Sequence, residues 1–138
     1  MRYFSIDQIK HFDLRDHDWE LASWNGQDLS IWVEEPAVLE GEYAGRCIEK
    51  ALVTFRGVRM EQAFFAPEGS ERNVTPDEAM EQFARKPMFV FSYYPEEKGC
   101  ELCGLSGSDA LGMIFGFDSV TVEWDAFAKE PVGELIMK

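Results

Sequence analysis

The chain has 138 residues, with 26 acidic against 13 basic side chains and a net charge of −13. A single domain of this length buries about two-thirds of its unfolded surface, so it needs neither a metal nor a disulfide to fold, and 46% hydrophobic with 14% aromatic content excludes intrinsic disorder. The basic residues are scattered (Arg2, Lys10, Arg15, Arg46, Lys50, Arg56, Arg59), so neither a nucleic acid phosphate backbone nor an anionic membrane surface is a suitable partner.

Ser5-Ile-Asp-Gln8 fits a capping box and predicts a short helical turn over Ile6–His11, with a short strand near Tyr3 as the alternative. His11 to Asp18 reads as a polar loop carrying Asp13, Asp16, His17 and Asp18. Met1 to Phe12 holds no apolar run of signal-peptide length, and no stretch approaches the roughly 20 apolar residues of a membrane span. The expectation is a cytoplasmic protein of one domain over residues 1–138.

Asn25-Gly26 between two alternating runs is the strongest local signal. It predicts a hairpin of Trp19–Trp24 with Gln27–Val33 across a two-residue turn. In that register Trp24 faces Gln27 and Trp19 faces Trp32. Ala22, Trp24, Leu29, Ile31 and Val33 then share a core face, and Trp19, Leu21 and Trp32 share a mixed one with Ser23, Asp28 and Ser30.

Glu34 to Arg46 reads as a loop, and Cys47 to Met60 as one long strand with a bulge at Gly57. Thr75-Pro-Asp-Glu78 is a helix start: Thr75 as N-cap, Pro76 in the first turn, Glu78 closing the capping box. Ala79, Met80, Phe83 and Ala84 make one apolar stripe, and Pro87 ends the helix, giving 75–86. Met88–Tyr94 and Cys100–Leu105 predict a hairpin about the turn 95–99. Leu111–Phe117 and Val120–Trp124 follow as two strands, or one long bent strand broken at Asp118-Ser119. The last ten residues are ambiguous. About seven strands and one helix predict a mainly β, α+β domain: an antiparallel β-sandwich or partly open barrel with one amphipathic helix packed at an edge or end.

Chemical motifs are thin. Cys100-Glu-Leu-Cys103 has the spacing of a zinc or redox pair, but there is no second such pair, and in a regular strand residues three apart point to opposite faces. Cys100 and Cys103 read as small strand or core residues rather than metal ligands, and Cys47 with the His11–Asp18 loop is the first place to look for an ion. The His11–Asp18 loop offers nitrogen and oxygen donors at a spacing that fits no metal motif. Gly107 to Gly112 has P-loop glycine spacing without the lysine that would reach a phosphate, and Asn73-Val-Thr75 is explained by helix capping. No cofactor, metal or catalytic residue is assigned, and the convergent titratable constellation of an active site is missing.

The expectation is therefore a non-enzymatic interaction protein with a basic protein partner, steered by charge. Small acidic bacterial immunity proteins have this general composition, though no motif here identifies them. Trp19, Trp32 and Trp24, with Glu34 and Glu35, are the candidate binding residues. The competing expectation is a carbohydrate- or small-ligand-binding β domain that uses the tryptophans as a stacking platform. An open sheet edge or the tryptophan face also allows a homodimer.

Overall fold

The computed structural model describes residues 2–67 and 71–128; the ambiguous last ten residues lie outside them. Among the described residues the chain is mainly β, with one α-helix and antiparallel strand pairing. Strand β1 (Tyr3–Ile6), the alternative reading of this segment, is followed by a 3-10 turn at Ile9–His11. The predicted Ser5–Gln8 capping box is not formed: Ser5 and Ile6 belong to the strand, the turn starts three residues later with Gln8 at its N-cap and no side-chain cap, and the Ser5 hydroxyl donates to the Gln8 side chain at 2.9 Å. Then come β2 (Phe12–Asp13), β3 (His17–Trp24), β4 (Leu29–Glu34), β5 (Ala37–Val38), β6 (Lys50–Arg56), β7 (Arg59–Ala66) and β8 (Arg72–Asn73). Helix α1 (Pro76–Arg85) precedes β9 (Met88–Glu96), β10 (Gly99–Ser106), β11 (Asp109–Gly116) and β12 (Ser119–Trp124).

Ten strands form one sheet in the order β1-β12-β6-β4-β3-β9-β10-β11-β7-β8, while β2 and β5 pair separately. The sheet is not closed into a barrel. It folds over at the short β3–β9 junction, where only His17–Trp19 pairs with Met88–Val90. The two halves then face each other as in a sandwich. Phe55 on β6 meets Phe115 on β11 at 5.2 Å between ring centres, and Trp19 on β3 meets Tyr93 on β9 at 5.7 Å. The long strand expected over Cys47–Met60 is cut at Gly57-Val58, where the chain turns from one half to the other. The chain crosses back at Phe117-Asp118, so the expected break between β11 and β12 is present.

Alternation places Leu29, Ile31, Val33, Val53, Phe55, Leu111, Met113 and Phe115 inside, each no more than 1% exposed. Helix α1 contributes Ala79, Met80 and Phe83 to the same core and packs on β3, β7 and β11. Its start is the capping box read from sequence. Thr75 Oγ1 accepts from the Glu78 N–H at 3.2 Å, and the Glu78 carboxylate accepts from the Thr75 N–H at 3.4 Å. Thr75→Ala is expected to cost about 0.5–2 kcal/mol in urea denaturation.

The Thr75 N–H, then the Thr75 hydroxyl and Arg72, hold the Glu78 carboxyl below its ordinary value of 4.5. The folded state thus binds its proton less readily than the unfolded chain. The stabilisation from this carboxylate is complete above that ordinary value and is lost as pH falls through the lower folded one. A Glu78→Gln variant should flatten that acid limb of the stability profile.

The hairpin differs from its expected form. Trp24 pairs with Leu29, so the loop has four residues, Asn25–Asp28, and a bulge between Leu21 and Ser23 shifts the register. The Asn25 side chain closes the turn by accepting from the Gln27 and Asp28 N–H groups at 2.9 and 2.7 Å. Within it only Gly26 has positive φ, so the primed two-residue turn is not formed. Trp19 consequently faces Val33, and Trp32 faces Glu20. The two tryptophans expected to form a pair lie on opposite faces of the sheet.

Candidate functional site

Trp19 is fully buried, and its indole N–H donates to the Leu14 carbonyl at 2.9 Å. Trp24 is half-buried against the core, with its indole N–H directed at the Asp77 carboxylate at 3.3 Å. Trp32 is half-buried on the outer face, under the Lys50 ammonium 5.1 Å from its ring centre, while Lys50 also pairs with Glu34 at 3.6 Å. Glu35 is exposed, with φ of 49°. Glu34 and Trp32 therefore meet through Lys50, and Trp19 and Trp24 are engaged in holding the fold.

The unexplained apolar surface lies elsewhere. Among the described residues seven large apolar side chains are exposed, and four of them, Phe89, Phe91, Tyr94 and Leu105, share the outer face of β9 and β10. An antiparallel sheet with one face in the core ordinarily turns polar residues outward. Here the register sets large apolar side chains among the polar ones. Asp18, Phe89, Leu105, Ala110 and Ala66 lie abreast across β3, β9, β10, β11 and β7. Ser92, Cys103, Gly112 and Phe64 form the next row, and Tyr94, Glu101, Ile114 and Gln62 the third.

A β-bulge leaves Phe91 without a partner on β10, between the Val90–Gly104 and Ser92–Cys103 pairs. The extra residue allows both Phe91 and Ser92 to reach the outer side while Val90 and Tyr93 stay inside. The Phe64 ring lies across the strand over Gly112, so a Cβ at that position would force the ring to move. Phe64, Cys103 and Ile114 line a depression of about 190 Å³ with Glu71 and Glu101 at its sides.

The rim is acidic. Asp18 borders Phe89, Glu101 borders Tyr94, and Glu71 lies at the depression, with Glu96 at the end of β9 and Lys98 in the turn beyond it. None of these four carboxylates has an ion-pair partner among the described residues. Cys103 faces out into this setting. Partial burial raises its thiol pKa, with the Glu71 carboxylate adding to the effect and a Gly104 backbone hydrogen bond opposing it. Cys100 points inward, where burial first and Glu101 second raise its pKa further. The Cys100–Cys103 spacing thus puts its sulfurs on opposite sides of the sheet, and both remain thiols at neutral pH.

The donors of the His11–Asp18 segment are dispersed. His11 faces Glu40 at 3.9 Å, Asp13 accepts from the Arg15 N–H, and His17 and Asp18 belong to β3. No group of three or more His, Cys, Asp or Glu side chains converges on a metal position among the described residues. No described helix is long and apolar enough to cross a membrane.

The sequence signal for this face is indistinguishable from strand propensity. Phe89, Phe91 and Tyr94 are all consistent with a β-strand, and only the fold shows which side of β9 stays uncovered. No family model matches the chain, and no curated protein or solved structure is significantly similar to it.

Proposed function

We propose that this protein is a non-enzymatic interaction module that docks on a basic protein through the outer face of β9, β10 and β11, in the manner of an inhibitor or immunity protein. The observation that carries the reading is Phe89, Phe91, Tyr94 and Leu105 exposed on one face, 41–63% accessible, within a border of carboxylates that have no ion-pair partner among the described residues. Aromatic side chains at the centre and charge at the margin are the usual anatomy of a protein interface. Covering these residues recovers part of the ~1.5–3 kcal/mol that full burial of a large apolar side chain is worth. The net charge of −13 supplies the second half of the reading. It disfavours self-association through this face and accelerates encounter with a positive surface.

The carbohydrate-platform reading has less support, because Trp19 is inside, Trp24 is turned to Asp77 and Trp32 is covered by Lys50.

The test is to capture the partner from the source cells with the full chain and then measure its association kinetics. The captured protein should be basic. Its association rate should fall about tenfold or more between 50 and 500 mM salt, with dissociation changing far less. An acidic partner, or an association rate indifferent to salt, would overturn the proposal.

A further inference from the structure

Where the outer face passes from β10 over β11 to β7, the sheet dips into the depression of about 190 Å³ beside Phe64 and Ile114. The dip follows from the register. In the row Ser92–Cys103–Gly112–Phe64, Gly112 has no side chain and the Phe64 ring lies over it, while Ser92 and Cys103 are small. The next row carries longer side chains, and its Glu101, Ile114 and Gln62 form a wall. The space is smaller than the ~300–1,000 Å³ usual for a whole small-molecule ligand and suits a single side chain.

Its polar groups await a donor. Glu71 and Glu101 line it without an ion-pair partner among the described residues, and no lysine or arginine of those residues shares the lining. The Gln62 amide donates to Asn73 at 3.4 Å, which leaves its carbonyl oxygen without a donor among the described residues. The Ser92 hydroxyl can accept as well. The negative charge is felt inside the depression: after burial, the Glu71 carboxylate is the next influence that raises the Cys103 thiol. Phe64 and Ile114 supply the apolar sides.

We infer that this depression receives an arginine side chain of the basic partner, its methylenes against Phe64 and Ile114 and its guanidinium between Glu71 and Glu101. The inference rests on the docking reading above and names the side chain that this face selects. A guanidinium presents five donors in one plane, and the two carboxylates, the Gln62 oxygen and the Ser92 hydroxyl offer acceptors on several sides of it. It is weakly hydrated, so it gives up water to a partly apolar recess more readily than the compact ammonium of lysine does. The three methylenes of its stem suit the Phe64 and Ile114 walls, and Tyr94, directly across from Glu101, offers a further ring beside the charge. Both carboxylates are exposed, so each adds a modest share to affinity and acts largely on encounter.

The test is an NMR titration of the full chain, at constant low ionic strength, with a capped Gly-Arg-Gly peptide. Parallel titrations use the same peptide with lysine, and with citrulline as the uncharged isostere of arginine. Saturable amide shifts are expected at Phe64, Glu101–Cys103 and Ile114 with the arginine peptide, at least threefold weaker affinity with lysine, and no saturation with citrulline. Glu71→Gln and Glu101→Gln, both at exposed positions, should each weaken binding about two- to fivefold with an unchanged melting temperature, and the double variant about tenfold. Glu42→Gln, in the loop before β6, should leave binding unchanged. Equal affinity for the lysine or citrulline peptide, shifts centred elsewhere, or no saturable shift would each overturn the inference, and the docking reading survives that result if the captured partner still requires Phe91 and Tyr94. Arginine-selective shifts at Glu101 alongside a captured partner indifferent to Phe91→Ala/Tyr94→Ala would uphold the arginine recess and remove the docking reading.

Discussion

Trp19→Ala is expected to lower the unfolding free energy by about 3–5 kcal/mol, the largest single-residue effect in this protein. The indole is 0% exposed, lies at the narrow β3–β9 junction and meets Tyr93 edge-on at 5.7 Å. Removing it opens a cavity at the point where the two halves of the sheet are joined by only three residue pairs. It also leaves the Leu14 carbonyl, on a residue with no exposed surface, without the donor 2.9 Å away. Trp19→Phe separates these contributions. It keeps most of the ring volume and forfeits the hydrogen bond, so it should cost about 1–3 kcal/mol. Equilibrium urea denaturation of both variants measures the difference. A loss under about 1 kcal/mol for Trp19→Ala would show that the junction does not depend on this side chain.

The second large effect concerns binding. The double variant Phe91→Ala/Tyr94→Ala is expected to bind the basic partner about a hundredfold or more weakly, since truncating central aromatic anchors commonly costs 2 kcal/mol or more each. Stability should be nearly unchanged, because the two side chains are 45% and 63% exposed and point away from the core. Ile6→Ala and Leu39→Ala, each 54% exposed on other parts of the surface, serve as controls and should leave affinity intact. Glu101→Lys should act differently, slowing association while leaving most of the dissociation rate, because it alters the margin rather than the centre. If the double variant bound as tightly as the native chain, the aromatic cluster would have no part in recognition.

Much of the fold is readable from residue pattern. The α1 cap, the β9–β10 hairpin, the break between β11 and β12 and the inward set Leu29, Ile31, Val33, Val53, Phe55 and Phe115 follow from local chemistry and alternation. The side chosen by Trp19 does not, because it depends on one bulged residue near Ala22 and on a loop two residues longer than Asn-Gly suggests. A single-residue change in register exchanges the faces of everything beyond it, and here it moves Trp19 into the core and leaves Trp32 outside. The candidate face was hidden for a related reason. Alternation assigns Phe89 and Phe91 to the side opposite Met88 and Val90, but which side meets a second layer is a property of the sheet order, set by contacts between β3 and β9 that lie some 70 residues apart.

The most direct measurement is amide hydrogen exchange of the chain alone and in complex with its captured partner. Slowed exchange is expected over Phe89–Tyr94 and Glu101–Leu105, extending toward Asp18 and Ile114, with β1 and the outer side of β4 and β6 unaffected. Protection centred on Phe4–Ile6 or around Trp32, with β9 and β10 exchanging as in the free protein, would contradict the assignment of the recognition surface.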